Sequence, residues 1–333
     1  MKPCVSVLLP YREAGPWLDR AIASIQTQTF KDWELLLIDN ASTDGGPAIA
    51  REWSVRDPRI RLLHEPGPGI AHALNTGLLN AGGDLIARMD ADDECRPERL
   101  QRQVAFMNAH PEVGVLGTRT HFVSTVARHS GMQCFVEWQN AILDPHDHYV
   151  KRFVDAPLAH PTVLFRRELV DRHGAYDTGP LPEDHELWLR WMDAGVRFAK
   201  LPEELLTWHD HAGRLSRTHP NYSTDAFFTT KARWLAKWLK RTLNGRPVIV
   251  AGTSTLCRDR AAKLEAEGIP IGAFTDVRPR EVPGHAFLPH DRLPPRGEAC
   301  IVSFISQRGT GDRIAEFLSG IGLVEGEDFL LAG

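Results

Sequence analysis

Leu85-Ile-Ala-Arg-Met-Asp90-Ala-Asp-Asp93 is the stretch on which the reading of this chain turns. A short buried-type strand runs straight into three carboxylates within four residues. Carboxylates that close repel one another, and something positive must offset that repulsion. A hard divalent cation with oxygen ligands, Mg²⁺ or Mn²⁺, held partly through substrate phosphates, suits the set. Taken alone an Asp-x-Asp is weak, because surface loops often contain one.

The pattern repeats outward from this stretch. Glu34-Leu-Leu-Leu-Ile-Asp39 is a continuous apolar run ending in an acid, as in a strand covered on both faces. Val5-Ser-Val-Leu-Leu-Pro10, Ile60-Arg-Leu-Leu-His64 and Val113-Gly-Val-Leu-Gly117 read as three more strands. Helical periodicity fills the gaps at 17–28, 48–56, 69–80 and 96–108. Strand–helix alternation at this spacing predicts a parallel, doubly wound α/β sheet. Ligands of such sheets bind beyond the carboxyl ends of the strands, where Asp39 and Asp90 both lie.

Residues 118–182 show no clean period, 183–195 read as a helix, and 209–223, rich in His, Arg, Ser and Pro, read as a loop. Residues 226–243 carry five basic residues and no acid. At 100° per residue Phe227, Phe228, Trp234, Leu235, Trp238 and Leu239 share one side, and Arg233, Lys237, Lys240 and Arg241 the other. Such a helix either packs its aromatic stripe on a neighbouring domain or contacts a membrane surface or RNA. Strand signals at 247–251, 271–276, 300–304 and 328–331, helices at 256–267 and 311–319, and a five-proline loop at 279–296 follow. The expected organisation is a first α/β domain over 1–222, a basic amphipathic linker helix over 223–244, and a small Rossmann-like α/β domain over 245–333.

Length and composition agree with that division. The chain has 333 residues, 42% hydrophobic and 25% charged, which excludes a disordered or fibrous protein. A net charge of −4 is not that of a general nucleic-acid binder. No apolar run approaches a bilayer span. Five widely spaced cysteines without a Cys-x-x-Cys read as buried free thiols, and the expected compartment is the cytoplasm.

Several clusters carry two readings each. Ser42 and Asp44 in Asp39-Asn-Ala-Ser-Thr-Asp44 suit helix capping, whereas Asp39 can accept from a base or ribose. Gly67-Pro-Gly69 opens a helix whose amides can face a diphosphate. Glu183-Asp184 is a dipole-favoured helix start or a catalytic carboxylate. His160-Pro-Thr-Val163 and Trp188 border an acceptor site or pack a core. His146, Asp147 and His148 lack a ligand framework and read as a solvated loop. In the C-terminal part Asp276 lies 24 residues past Gly252, near the ribose-binding offset. Only one glycine of that fingerprint survives, so a structural, docking or acceptor-recognition role is preferred there.

Taken together, Val5-Ser-Val-Leu-Leu-Pro10, Ile38-Asp-Asn-Ala-Ser-Thr-Asp44, Gly69-Ile-Ala-His-Ala-Leu-Asn75-Thr-Gly77, Asp90-Ala-Asp-Asp93 and Pro182-Glu-Asp184 resemble the family 2 glycosyltransferases of the GT-A fold. The likeness covers about residues 3–215. It implies that Pro10, Tyr11, Glu13, Asp39, Asn75, Asp90, Ala91 and Arg214 surround a nucleotide-sugar donor, with Asp39 reading the base. It implies that Asp92 and His211 hold the metal, that Arg217 is a further phosphate contact, and that Asp184 is the catalytic base. Arg12, Asn40 and His209 depart from the family's usual residues. The layout of both domains with the basic helix also resembles enzymes that galactosylate queuosine in tRNA.

The chemistry implied is one inverting displacement. A metal and a basic side chain neutralise the leaving diphosphate, and a carboxylate takes the acceptor hydroxyl's proton. The donor expected is a UDP-sugar. The acceptor expected is a glycan or lipid-linked saccharide, with tRNA as the alternative. Two other classes compete: a nucleotidyltransferase, poorly matched by Tyr11-Arg-Glu-Ala-Gly15, and a non-catalytic sugar-nucleotide-binding protein.

Overall fold

The computed structural model describes residues 2–127, 130–278, 280–307 and 309–333. The chain divides into two compact units, 1–145 with 157–219, and 146–156 with 220–333.

The first unit is built on an eight-stranded sheet. Its strands are β1 (Val5–Tyr11), β2 (Trp33–Asp39), β3 (Ile60–His64), β4 (Leu85–Arg88), β5 (Glu94–Cys95), β6 (Val113–Ser124), β7 (Leu164–Arg166) and β8 (Arg197–Asp210). They lie in the order β3-β2-β1-β4-β7-β6-β8-β5. The helices are α1 (Gly15–Gln26), α2 (Gly46–Arg56), α3 (Ile70–Asn80), α4 (Arg99–Ala109) and α5 (Ser130–Ala141). Next in chain order, α6 (Pro145–Val150) falls almost wholly in the second unit, and α7 (Glu168–His173), α8 (Glu183–Asp193) and α9 (Leu215–Thr218) belong to the first. The first four strands of that order run parallel, as expected, because each helix returns the chain to the sheet's starting edge.

The expected all-parallel sheet is corrected beyond β4. Strand β7 enters antiparallel between β4 and β6, and β5 is antiparallel to β8. Strand β7 is only three residues long, too short to leave a period. Strand β8 runs through His209 and Asp210, where a loop was expected, because pairing with β6 overrides its mixed polarity. Helix α4 starts at Arg99, later than residue 96, so Pro97 precedes it. The region without a clean period contains α5.

The core explains why these segments hold. Val5, Val7, Leu9, Leu35 and Leu37 pack with Leu18, Ala21, Ile22 and Ile25, the single apolar face of α1. Burying each of these Val, Leu and Ile side chains is worth roughly 1.5–3 kcal/mol.

In the second unit, helix α10 (Thr224–Thr242) is followed by five parallel strands: β9 (Val248–Ala251), β10 (Ile271–Thr275), β11 (Ala286–Phe287), β12 (Cys300–Ser303) and β13 (Phe329–Leu331). Their order is β11-β10-β9-β12-β13, with α11 (Thr255–Ala266) and α12 (Thr310–Gly320) between them. Strand β11 falls inside the expected proline loop, whose Pro279 lies outside the described residues.

Helix α10 keeps company with this unit and with segment 146–156. Its Phe228, Trp234 and Trp238 are buried, and the Trp238 indole donates to the Tyr149 hydroxyl at 3.0 Å. The aromatic stripe is therefore spent on packing and is not available for insertion into a bilayer. Arg233, Lys237, Lys240 and Arg241 remain exposed. No helix of the described residues is long and apolar enough to cross a membrane.

Candidate functional site

The register of the first sheet gathers the acids that the sequence singled out. Tyr11 pairs with Asp39 and Pro10 with Ile38 at the carboxyl ends of β1 and β2. Leu8 pairs with Arg88, the last residue of β4, so the 89–93 loop leaves alongside Pro10 and Tyr11. Tyr11 is buried, and burial together with Asp39 pushes its phenol far above its usual range. Asp39 accepts from the Ser42 amide at 3.0 Å and stands 3.5 Å from His64 Nδ1.

Beside this pair the backbone is strained. Glu13 and Ala41 have φ of +50° and +56°, a region that L-residues occupy at a cost. Glu13 Oε1 accepts from the Thr43 amide at 2.7 Å, and the Glu13 amide donates to Ser42 Oγ at 3.3 Å. Ser42 thus serves this turn and not a helix cap. Asp44 does cap, accepting from the amides of Gly15 at 2.6 Å and Gly46 at 3.0 Å.

Asn40 donates to the carbonyls of Glu65 and Gly67 at 3.1 and 2.6 Å and accepts from the Gly69 amide at 3.1 Å. An aspartate could make only the last of these bonds, which gives this departure from the family pattern a physical reason. Asn75 spends both ends of its amide on the Tyr176 backbone, at 2.9 and 3.0 Å.

The acidic loop is the centre of the arrangement. Oxygens of Asp90, Asp92 and Asp93 converge within 4.8 Å of one another. Ala91 sits between them, half-buried. Residues some 120 positions later reach the loop because β5 pairs with β8, with Glu94 opposite Thr207. His211 Nε2 is 3.0 Å from Asp92 Oδ2, and its ring stacks on Trp17 at 4.3 Å. His209 donates its backbone amide to Asp93 Oδ1 at 2.8 Å and sets its ring on Glu94 at 2.7 Å. Arg214 reaches Asp90 at 3.1 Å and Asp93 at 3.2 Å. Arg217 instead forks Asp210 at 2.8 and 2.7 Å.

These charges shape the carboxylates. Burial raises Asp92, but Arg214 and His211 outweigh it and hold the carboxyl below its usual range. Burial, opposed by Arg214 and reinforced by Asp92 and Asp90, pushes fully buried Asp93 well above it. Asp93 Oδ2 is buried without a hydrogen-bond partner. Three hard oxygen donors with one unsatisfied oxygen fit a divalent cation of the Mg²⁺ or Mn²⁺ type.

Sequence reasoning missed the buried arginines beneath the loop. Arg88 pairs with Asp90, and burial opposed by Asp90 leaves its guanidinium more basic than usual. Arg99, with no exposed surface, donates to the Arg88 carbonyl at 2.9 Å and to Cys95 Sγ at 3.0 Å. Charged residues are assigned to the surface by default, so only the position of Arg88 two residues before Asp90 hinted at this.

Asp184 lies in the first turn of α8, half-buried, and accepts from the next amide, of His185, at 2.7 Å. Its charge and that of Glu183 both act on buried Tyr176, whose phenol burial raises far above its usual range. Tyr176 bonds His160 Nε2 at 2.8 Å. His160 is buried near Arg88, and burial together with that charge holds its pKa well below the ordinary value. Trp188 is fully buried among His160, Trp191 and Phe198 and belongs to the core. In the second unit Asp147 pairs with Lys151 at 3.7 Å, and the only group of acids and histidines with metal-site spacing among the described residues is Asp90, Asp92 and Asp93.

The family model described as glycosyl transferase family 2 matches residues 6–174. The amylovoran biosynthesis glycosyltransferase AmsE of Erwinia amylovora is 30% identical over 203 residues, which cover 61% of this chain and 74% of AmsE. The crystal structure of S. aureus TarS 1–349 with UDP-GlcNAc superposes with a TM-score of 0.55 at 18% identity, covering 79% of this chain and 71% of that one. The mannosyltransferase PcManGT of Pyrobaculum calidifontis, solved with GDP-Man and Mn²⁺, gives 0.50 at 23% identity over 74% of this chain and 66% of its own. The strand-end acids, the loop that returns to them and these matches lead to one conclusion: the chain belongs to glycosyl transferase family 2.

Proposed function

We propose that the first unit transfers a sugar from a nucleoside-diphosphate donor, with UDP as the nucleotide, to a saccharide hydroxyl, with inversion. The observation that carries this is the convergence of Asp90, Asp92 and Asp93 with Arg214 and His211 at the strand ends beside Tyr11 and Asp39. Carboxylates and cations so interleaved can hold a cation–diphosphate pair. Asp92 with Asp93 and Asp90, and His211 at the rim, would hold the Mn²⁺ or Mg²⁺ ion, which when bound neutralises charge on the leaving diphosphate. Asp39 and Tyr11 would hold the base, Glu13 and Ala91 the walls of the pocket, and Arg214 the diphosphate. Asn75 would act indirectly, by fixing Tyr176. Asp184 would take the acceptor proton. TarS and PcManGT, solved with UDP-GlcNAc and GDP-Man, support a nucleotide-sugar donor, and the name of AmsE supports a polysaccharide acceptor.

A second acceptor is queuosine in tRNA; of that reading the exposed Arg233, Lys237, Lys240 and Arg241 support only the contact with RNA. Salt-dependent retention of tRNA, lost when these four are changed to Ser, distinguishes it from a saccharide acceptor. The second unit, with its five parallel strands, is read as a Rossmann-like domain for acceptor recognition or docking.

The test of the reaction is Asp184→Asn. Transfer falls by roughly 10²–10⁴-fold, while donor affinity measured by calorimetry is kept. Full transfer by the variant would remove Asp184 from the chemistry.

A further inference from the structure

The three carboxylates that suit a divalent ion already hold a cation. Arg214 Nη2 lies 3.1 Å from Asp90 Oδ2, and Nη1 lies 3.2 Å from Asp93 Oδ1 and 3.7 Å from Asp92 Oδ2. The side chain is 8% exposed. Nη1 also donates to the His209 carbonyl at 2.7 Å, and the guanidinium lies 5.1 Å from the Trp208 ring centre. The placement is therefore built by β8 and the turn after it. The second oxygen of Asp90 is taken by Arg88.

Two guanidiniums thus face three acids in a site largely shielded from water. A divalent ion placed among the same oxygens would meet Arg214 at close range, where a poor dielectric leaves their repulsion strong. One set of oxygens cannot serve both cations. Arg214 has a natural alternative, because a diphosphate offers its planar fork two anionic oxygens. The Arg214 backbone N–H donates to the His211 carbonyl at 3.2 Å, and the four-residue α9 follows it directly.

We infer that Arg214 competes with the metal for the acidic cluster. In the free protein Arg214 occupies the cluster. With a nucleoside diphosphate bound it swings onto the phosphates, so that a divalent ion binds tightly only together with the nucleotide. Metal and nucleotide are then positively coupled, and by linkage each tightens the other. The inference rests on the donor-site reading above.

The test is Mn²⁺ binding to the full chain, read from the electron paramagnetic resonance of free Mn²⁺, without and with UDP. Arg214→Gln binds Mn²⁺ alone roughly tenfold or more tightly than wild type. Arg214→Lys, which keeps the charge, stays near wild type. UDP tightens Mn²⁺ binding strongly in wild type and only weakly in Arg214→Gln. Equal Mn²⁺ affinity of wild type and Arg214→Gln, with both folded by circular dichroism, overturns the competition and leaves the donor site standing. Should Arg214→Gln fail to fold, an Mn²⁺ affinity of wild type indifferent to UDP overturns it equally. No Mn²⁺ binding by any form even with UDP overturns the donor-site reading itself.

Discussion

The two sheets of this chain end in the same way and use their ends differently. In the first unit the carboxyl ends of β2 and β4 deliver Asp39 and Asp90, and Asp92 and Asp93 follow. Asp90, Asp92 and Asp93 are held by His211 and Arg214 from far away in sequence and by the buried Arg88 close by. In the second unit the carboxyl end of β10 delivers one acid, Asp276, and its own fold consumes it. Asp276 Oδ2 accepts from the Thr253 amide at 3.0 Å and from the Thr253 hydroxyl at 2.8 Å. The ribose-like offset between Gly252 and Asp276 thus has a structural explanation in a turn. At the first edge distant cations converge on Asp90, Asp92 and Asp93, whereas at the second Asp276 is satisfied by Thr253.

The sharpest way to break this comparison is to remove one acid from each end. Asp92→Ala lowers sugar transfer by roughly two to four orders of magnitude, because charge on the leaving diphosphate loses its partner. Asp276→Ala leaves the rate of transfer unchanged. Parallel initial-rate assays check both, and equal losses would mean that the two edges are not different in kind.

Next in size is the scaffold beneath the first edge. Arg99→Leu strands the carbonyl of Arg88 and the sulfur cluster of Cys95 and Met89, and destabilises the first unit by about 3 kcal/mol. Urea denaturation followed by fluorescence measures it. A change under about 1 kcal/mol would contradict the role given to this buried arginine.

Each unit also buries one lysine. Lys200 donates to the carbonyls of Gln139 and Pro157, and burial, helped by Arg119, pushes it down to about 7. Lys231 donates to the Val154 carbonyl at 2.9 Å, and burial pushes it down to about 7 as well, against Asp155 and with Arg260. Above that pH the unfolded chain still holds the proton and the folded chain does not, so these two lysines add stability as pH rises from 7 toward the unfolded pKa. Unfolding midpoints of wild type, Lys200→Met and Lys231→Met at pH 7 and 8.5 separate the contributions. The gain on going to pH 8.5 is smaller in each variant than in wild type, and identical gains in all three would sink the idea.

The smallest effect is the stability cost of Asp276→Ala. Losing the two bonds to Thr253 costs the second unit about 1 kcal/mol, visible as a shift in its unfolding midpoint. No shift would show that the turn does not depend on Asp276.

Much of the first edge was legible in the sequence. Asp39, Asp90 and Asp92 stood out because a buried strand has few reasons to end in unpaired acids. The first four strands were readable because short, mainly apolar runs alternate with helical periods, the run at 34–39 being continuous. Strand β7 was not, since three residues carry no period, and β8 hid behind Glu203, Glu204 and its alternating polar residues. Without β8 nothing predicts that His209 meets Asp93 or that Trp17 meets His211. The amphipathic α10 was legible as a helix, but which of its faces would be covered depended on packing that no local pattern encodes.

The measurement that bears most directly on the account is a thermal-shift panel of nucleoside diphosphates and nucleotide sugars, with and without Mn²⁺, on wild type and Asp92→Ala. A ligand that binds the folded state raises the melting temperature by mass action. The account predicts a shift with UDP or one UDP-sugar that grows with Mn²⁺ and disappears in Asp92→Ala. No shift with any nucleotide, or an equal shift in both proteins, would contradict the assignment of the acidic cluster as the donor site.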